Sequence, residues 1–264
     1  DGASHRVFER SEFIALAVVR EYLDIIRLRR VVRISVDNVS YHRGLLGRIG
    51  EGADEGSLSV ADRQQAQERL FAANARVAEA REEFELPFVV EVLDPRDVDL
   101  VSSYADLIRV GTRNMANFSL LSELGRQPRP VMLKRGFKAT VEEWLNAAEY
   151  IYKEGNQDVI LCERGIRTFE TSTRNTLDIS AVPIVKGLSH LPIIVDPSHS
   201  GGRRQLVAPL TRVAVAAGAD GFMVDVHPSP ETAEVDGPQA ILPSEFAELM
   251  DEVRALAAAM HVQV

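Results

Sequence analysis

Six short apolar runs, spaced at steady intervals, restrict this chain more than any other feature. They read FVVEVLD from Phe88, LIRVGT from Leu107, VMLKR from Val131, VILCER from Val159, PIIVDPSH from Pro192 and GFMVDVH from Gly221. Between them lie amphipathic helical stretches, the pattern of repeated βα units on a parallel sheet. In TVEEWLNAAEYIYKEG, Thr140 stands three residues before Glu143 as a capping box requires, and Gly155 is placed as a helix stop. The first third adds a helical stretch, RSEFIALAVVREYLDII, a strand, RVVRISV, and a long helix, ADRQQAQERLFAANARVAEAREEF. With an opening strand near Asp1 to Val7 the count reaches eight, which predicts an α/β fold: a single (β/α)8 TIM barrel over residues 1–264. The glycine-rich stretch DNVSYHRGLLGRIGEGADEGSLSV is expected to be a loop on the catalytic face.

In such a barrel the carboxyl ends of all strands meet at one mouth. The apolar runs end in Asp94, Arg113, Lys134, Arg135, Glu163, Arg164, His199, Asp225 and His227, with Arg203, Arg204 and Asp236 in the loops beyond. Arg113, Lys134 and Arg164 come from three successive strands and would repel one another without an anion. Together they suit a ligand carrying a phosphate and a carboxylate. His199 with Asp225 and Asp236 offers imidazole and carboxylate donors, a set suited to a divalent metal such as manganese, iron, cobalt or zinc. Asp94 reads better as a helix N-cap than as a catalyst, and Trp144 as core.

Composition narrows the partners. A net charge of −9 argues against nucleic acid and, with these local basic clusters, for small anionic ligands. The single cysteine, Cys162, excludes an intrachain disulfide framework and any multi-cysteine zinc site. No apolar run is long enough to span a bilayer and no signal-peptide pattern opens the sequence, so the expected location is cytoplasmic, away from membranes.

At these residues the sequence resembles the beta subgroup of type I 3-deoxy-D-arabino-heptulosonate 7-phosphate (DAHP) synthases. The segments EVLDPRDVDLVSSYADLIRVGTRNMANFSLL, PVMLKRGFKATVEEWLNAAEYIYKEGNQDVILCERGIRTFET, TRNTLDISAVPIVK, LPIIVDPSHSGGRRQLVAPL and AAGADGFMVDVHPSPETAEVDGPQ carry the resemblance, from about residue 86 to 245. It implies a (β/α)8 barrel that condenses phosphoenolpyruvate with erythrose 4-phosphate at a divalent metal, in a dimer or tetramer. Arg113, Lys134 and Arg164 would hold phosphoenolpyruvate, with Arg33, Arg135 and Glu163 among the substrate contacts. His199, Asp225 and Asp236 would be three of four metal ligands, and Arg203 or Arg204 would meet the phosphate of the second substrate. Lys134, Arg164 and His199 are the expected catalytic residues.

The front of the chain departs from the family pattern. DGASHR replaces the strand ending in Gly-Pro-Cys whose cysteine is the fourth ligand, leaving Ser4 or His5 in its place. RISVDNVSYHRGLLG lacks the family's Lys-Pro-Arg-Thr-Ser, and the family's glutamate ligand is shortened to Asp225. These changes predict a conserved phosphoenolpyruvate half and an altered aldehyde half, with His42, Arg43 or Arg48 as substitutes. Two alternatives stay open: a different bond-forming reaction on the same barrel, and a catalytically silent, ligand-binding paralogue.

Overall fold

The structure, a computed structural model, describes residues 87, 89–233 and 236–260. All but Pro87 belong to the second of the chain's two units, Phe88–Val264. The expectations for the first third, including the opening strand, Ser4, His5, Arg33, the glycine-rich loop, His42, Arg43 and Arg48, lie outside the described residues.

Six strands form one sheet: β1 (Val89–Val92), β2 (Leu107–Val110), β3 (Val131–Lys134), β4 (Val159–Glu163), β5 (Ile193–Val195) and β6 (Gly221–Phe222). Every neighbouring pair is parallel and the strand order is the chain order. Sequential parallel strands with helices between them are the α/β barrel arrangement expected from the sequence. The helices are α1 (Val98–Tyr104), α2 (Phe118–Gly125), α3 (Val141–Lys153), α4 (Ala181–Leu188), α5 (Pro197–Gly201), α6 (Arg204–Ala216) and α7 (Pro243–Ala259).

Local chemistry explains the boundaries. The Thr140 hydroxyl accepts from the Glu143 amide at 3.1 Å while the Glu143 carboxylate accepts from the Thr140 amide at 2.8 Å, so α3 starts where the sequence places it. Gly155, at φ 114°, sits just beyond its end. Asp94 caps a short 3₁₀ turn through the Arg96 amide. The last apolar run pairs as a strand only over Gly221–Phe222. Beyond it the backbone is drawn off the ladder: the Asp225 amide donates to the Ser198 hydroxyl, and Val226 and Ile241 form a separate parallel bridge.

Side chains alternate across each strand. Val131 and Leu133, Val159 and Leu161, and Ile193 and Val195 are buried with Leu120, Leu124, Trp144 and Ile151 of the helical layer. The Trp144 indole donates to the Leu133 carbonyl at 3.1 Å, fixing α3 on the outer face of β3. Met132, Lys134, Ile160, Cys162 and Ile194 occupy the opposite parity, with Lys134, Cys162 and Ile194 in register across three strands. This parity decides which strand-end charges reach the mouth.

Candidate active site

Lys134 ends β3 on the inner parity and is 5% exposed. Its ammonium donates to Asp196 Oδ2 at 2.7 Å. Asp196 follows β5 and caps α5, where Pro197 takes the first helical position and needs no amide partner. It accepts from the His199 amide at 2.9 Å, and His199 Nδ1 lies 2.9 Å from Oδ2 and 3.1 Å from Oδ1. Burial, the largest influence on Asp196, would raise its pKa. The His199 hydrogen bond and the Lys134 charge outweigh it and hold this carboxyl well below the usual range.

Arg164 follows β4 on the same inner parity. Only 3% exposed, its side chain has one guanidinium nitrogen, Nη1, that no acceptor reaches among the described residues. Desolvation is the main influence on this group, lowering its pKa, with the charge of Asp196 the largest opposing influence. Its Cζ lies 4.7 Å from the centre of the Phe137 ring, and Arg113 and Arg167 approach the same ring at 5.9 and 5.7 Å. Arg113 and Arg164 therefore share Phe137, while Lys134 and Arg164 share Asp196. Arg113 is exposed and has no acidic partner among the described residues.

His199, Asp225 and Asp236 also come together, with one donor atom from each lying within 4.8 Å of the others. His199 Nδ1 is 3.6 Å from Asp225 Oδ2, and Nε2 is 3.6 Å from Asp236 Oδ2. Burial raises the Asp225 pKa. Gln239, buried, donates to Asp225 Oδ2 at 2.7 Å and accepts from Arg174 at 2.7 Å, and Arg174 also reaches Asp236 Oδ1 at 3.2 Å. Asp236 has a left-handed backbone at φ 57°, unusual for a residue with a side chain. One imidazole and two carboxylates, with nothing softer, fit a divalent ion such as manganese, iron, cobalt or zinc.

Arg135 and Glu163 do not join this set; their parity turns them toward the helices. Arg135 Nη1 donates to Glu163 and to Asp178, each at 2.8 Å, Nε donates to the Ala139 carbonyl, and Cζ is 5.8 Å from the Trp144 ring centre. Glu163 accepts from the Gly165 amide through its other oxygen. These two form a buried ion pair tying β3 and β4 to the helical layer. Arg204 is also committed, donating to the Ala240 carbonyl at 2.9 Å and to Glu231 at 3.2 Å. Arg203, exposed before α6, is not held in this way.

The sequence profile of the DAHP synthetase I family matches residues 73–259. This chain belongs to the DAHP synthetase I family. A relative, phospho-2-dehydro-3-deoxyheptonate aldolase of Thermotoga maritima, is 56% identical over 186 residues, covering 70% of this chain and 55% of that protein. The chain thus spans about half the length of that curated relative. A 2-dehydro-3-deoxyphosphooctonate aldolase of Nitratidesulfovibrio vulgaris (strain DP4) is 30% identical, covering 70% of this chain and 71% of that one. A solved truncated form of the Thermotoga maritima DAHP synthase is 54% identical with a TM-score of 0.70, covering 73% of this chain and 74% of that one. The family members thus share the stretch that carries all the charges described above. Among the described residues no helix is long and apolar enough to cross a membrane.

Proposed function

We propose that this chain condenses phosphoenolpyruvate with an aldehyde, the reaction of DAHP synthases, with small phosphorylated molecules as its substrates. The observation that carries this reading is Arg164: a guanidinium nitrogen sealed from water and without an acceptor among the described residues is costly unless an anion completes it. Arg113 on the shared Phe137 ring and Lys134 on the shared Asp196 supply the remaining positive charge. In this reading Arg164 and Arg113 fork onto carboxylate and phosphate oxygens, and Lys134 adds a point charge. C3 of phosphoenolpyruvate attacks the aldehyde carbon, water adds at C2, and phosphate leaves. The same three cations stabilise the negative charge that develops. In this reading Arg203 meets an acceptor's phosphate, Arg204 being already bonded.

His199, Asp225 and Asp236 would hold the divalent metal. Bound there, it would polarise the aldehyde carbonyl as a Lewis acid. Gln239 and Arg174 brace the two carboxylates. A homo-oligomer and a cytoplasmic setting complete the proposal. The test is phosphoenolpyruvate loss, followed by absorbance, with erythrose 4-phosphate and a panel of other aldehydes, each with several divalent metals. Consumption matched by phosphate release and a new carbon–carbon bonded product is expected. No consumption with any pairing would end the reading.

A further inference from the structure

Asp196 is fully buried and holds three donors from two half-sites: the Lys134 ammonium, the His199 amide and His199 Nδ1. The backbone-facing role differs from the other two. Capping α5 needs only an acceptor oxygen, which a neutral amide also supplies. Gripping the imidazole is a different matter, because it decides which ring nitrogen carries the proton.

We infer that Asp196 is a positioning residue for the metal site, fixing His199 with its proton on Nδ1 so that Nε2 presents its lone pair toward Asp236. This rests on the metal reading above. The geometry supports it in two ways. Nδ1 is 2.9 Å from Asp196 Oδ2 but 3.6 Å from Asp225 Oδ2, so its hydrogen bond goes to Asp196. Nε2 then faces Asp236 Oδ2 at 3.6 Å, an arrangement of two electron-pair donors that repel unless a cation or proton lies between them. A carboxylate behind a ligating histidine fixes the tautomer and raises ligand basicity, and losing such a partner typically costs about 10- to 100-fold in metal affinity. Asp196 does more than this usual arrangement, since the same Oδ2 anchors Lys134. One buried charge therefore sets the metal ligand and the anion-binding lysine at a fixed offset.

The experiment titrates Zn²⁺ alone into the whole chain and into Asp196→Asn by calorimetry, with phosphoenolpyruvate titrated separately. Asparagine keeps the helix cap and the side-chain shape and removes the charge. The expected result is a Zn²⁺ dissociation constant weaker by about 10- to 100-fold, with a smaller change in phosphoenolpyruvate affinity, because losing the Asp196 charge loosens the Lys134 ammonium but also frees its charge for the anion. A merely structural role would lower both. Should the variant fail to fold, nitrogen-15 spectra of the unaltered protein decide the matter, with His199 assigned against His199→Gln. Nδ1 protonated with and without Zn²⁺ supports the inference, and a neutral ring with Nδ1 bare overturns it. Equal Zn²⁺ isotherms for the two proteins overturn this inference alone. No Zn²⁺ binding by the unaltered protein overturns the metal reading and this inference with it.

Discussion

Replacing Arg164 with methionine should weaken the anion site while leaving the fold as stable as before, or more so. The side chain is 3% exposed, its charge is desolvated, and Nη1 has no acceptor among the described residues. A buried unsatisfied donor costs about 1–3 kcal/mol, a penalty the free protein carries until a ligand arrives. Methionine has similar length, packs against Phe137 through its sulfur, and lifts that penalty, so the melting temperature is expected to hold or rise. Binding goes the other way. Each charge-assisted contact to a carboxylate or phosphate contributes about 1.5–3 kcal/mol, so losing one weakens phosphoenolpyruvate by roughly 10- to 150-fold. Calorimetric titration of phosphoenolpyruvate and a thermal melt of Arg164→Met read the two effects separately. Unchanged affinity, or a variant that melts well below the parent, would refute the reasoning that this charge is kept for a ligand.

Glu163→Gln should behave in the opposite sense: a loss of stability of about 1–3 kcal/mol in urea denaturation, because Arg135 loses one of its two carboxylates, with phosphoenolpyruvate affinity unmoved. A clear fall in that affinity would return Glu163 to the mouth. Gln239→Leu leaves Asp225 Oδ2 and Arg174 without their bridge, and Zn²⁺ affinity by calorimetry should fall by roughly tenfold; an unchanged isotherm counts against the bracing role. Cys162 is fully buried, and burial pushes its thiol up to about 12. At pH 8 only about one molecule in ten thousand carries the reactive thiolate, so iodoacetamide should label this cysteine only after denaturant is added, with reactivity rising as pH approaches the thiol's value. Rapid labelling of native protein at pH 8 would contradict that burial.

The barrel units were legible because their signals are local. Apolar runs, the Thr140–Glu143 box and the Asp94 cap each lie within a few residues, and the structure keeps them all. That Arg113, Lys134 and Arg164 come from the ends of three successive strands was legible from topology alone. What the sequence reading missed is what joins them. Asp196 reaches Lys134 across 62 residues, Arg174 reaches Gln239 across 65, and Phe137 gathers guanidiniums from the segments after β2 and β4, so none of these pairings leaves a trace in local spacing. Arg135 and Glu163 end their apolar runs and so read as mouth residues, whereas counting parity from Lys134 and Arg164 separates each from its neighbour and assigns it to the other face.

That alternation puts a ligand-facing cation and a scaffold charge on consecutive codons at the tips of β3 and β4. Chimaeras that splice this chain with a relative would therefore tolerate length changes in the loops but not an odd-numbered slip inside either segment. A shift by one residue at β4 would present Glu163 to the incoming anion and drive Arg164 into the helical layer, turning an attracting mouth into a repelling one while leaving composition and net charge untouched.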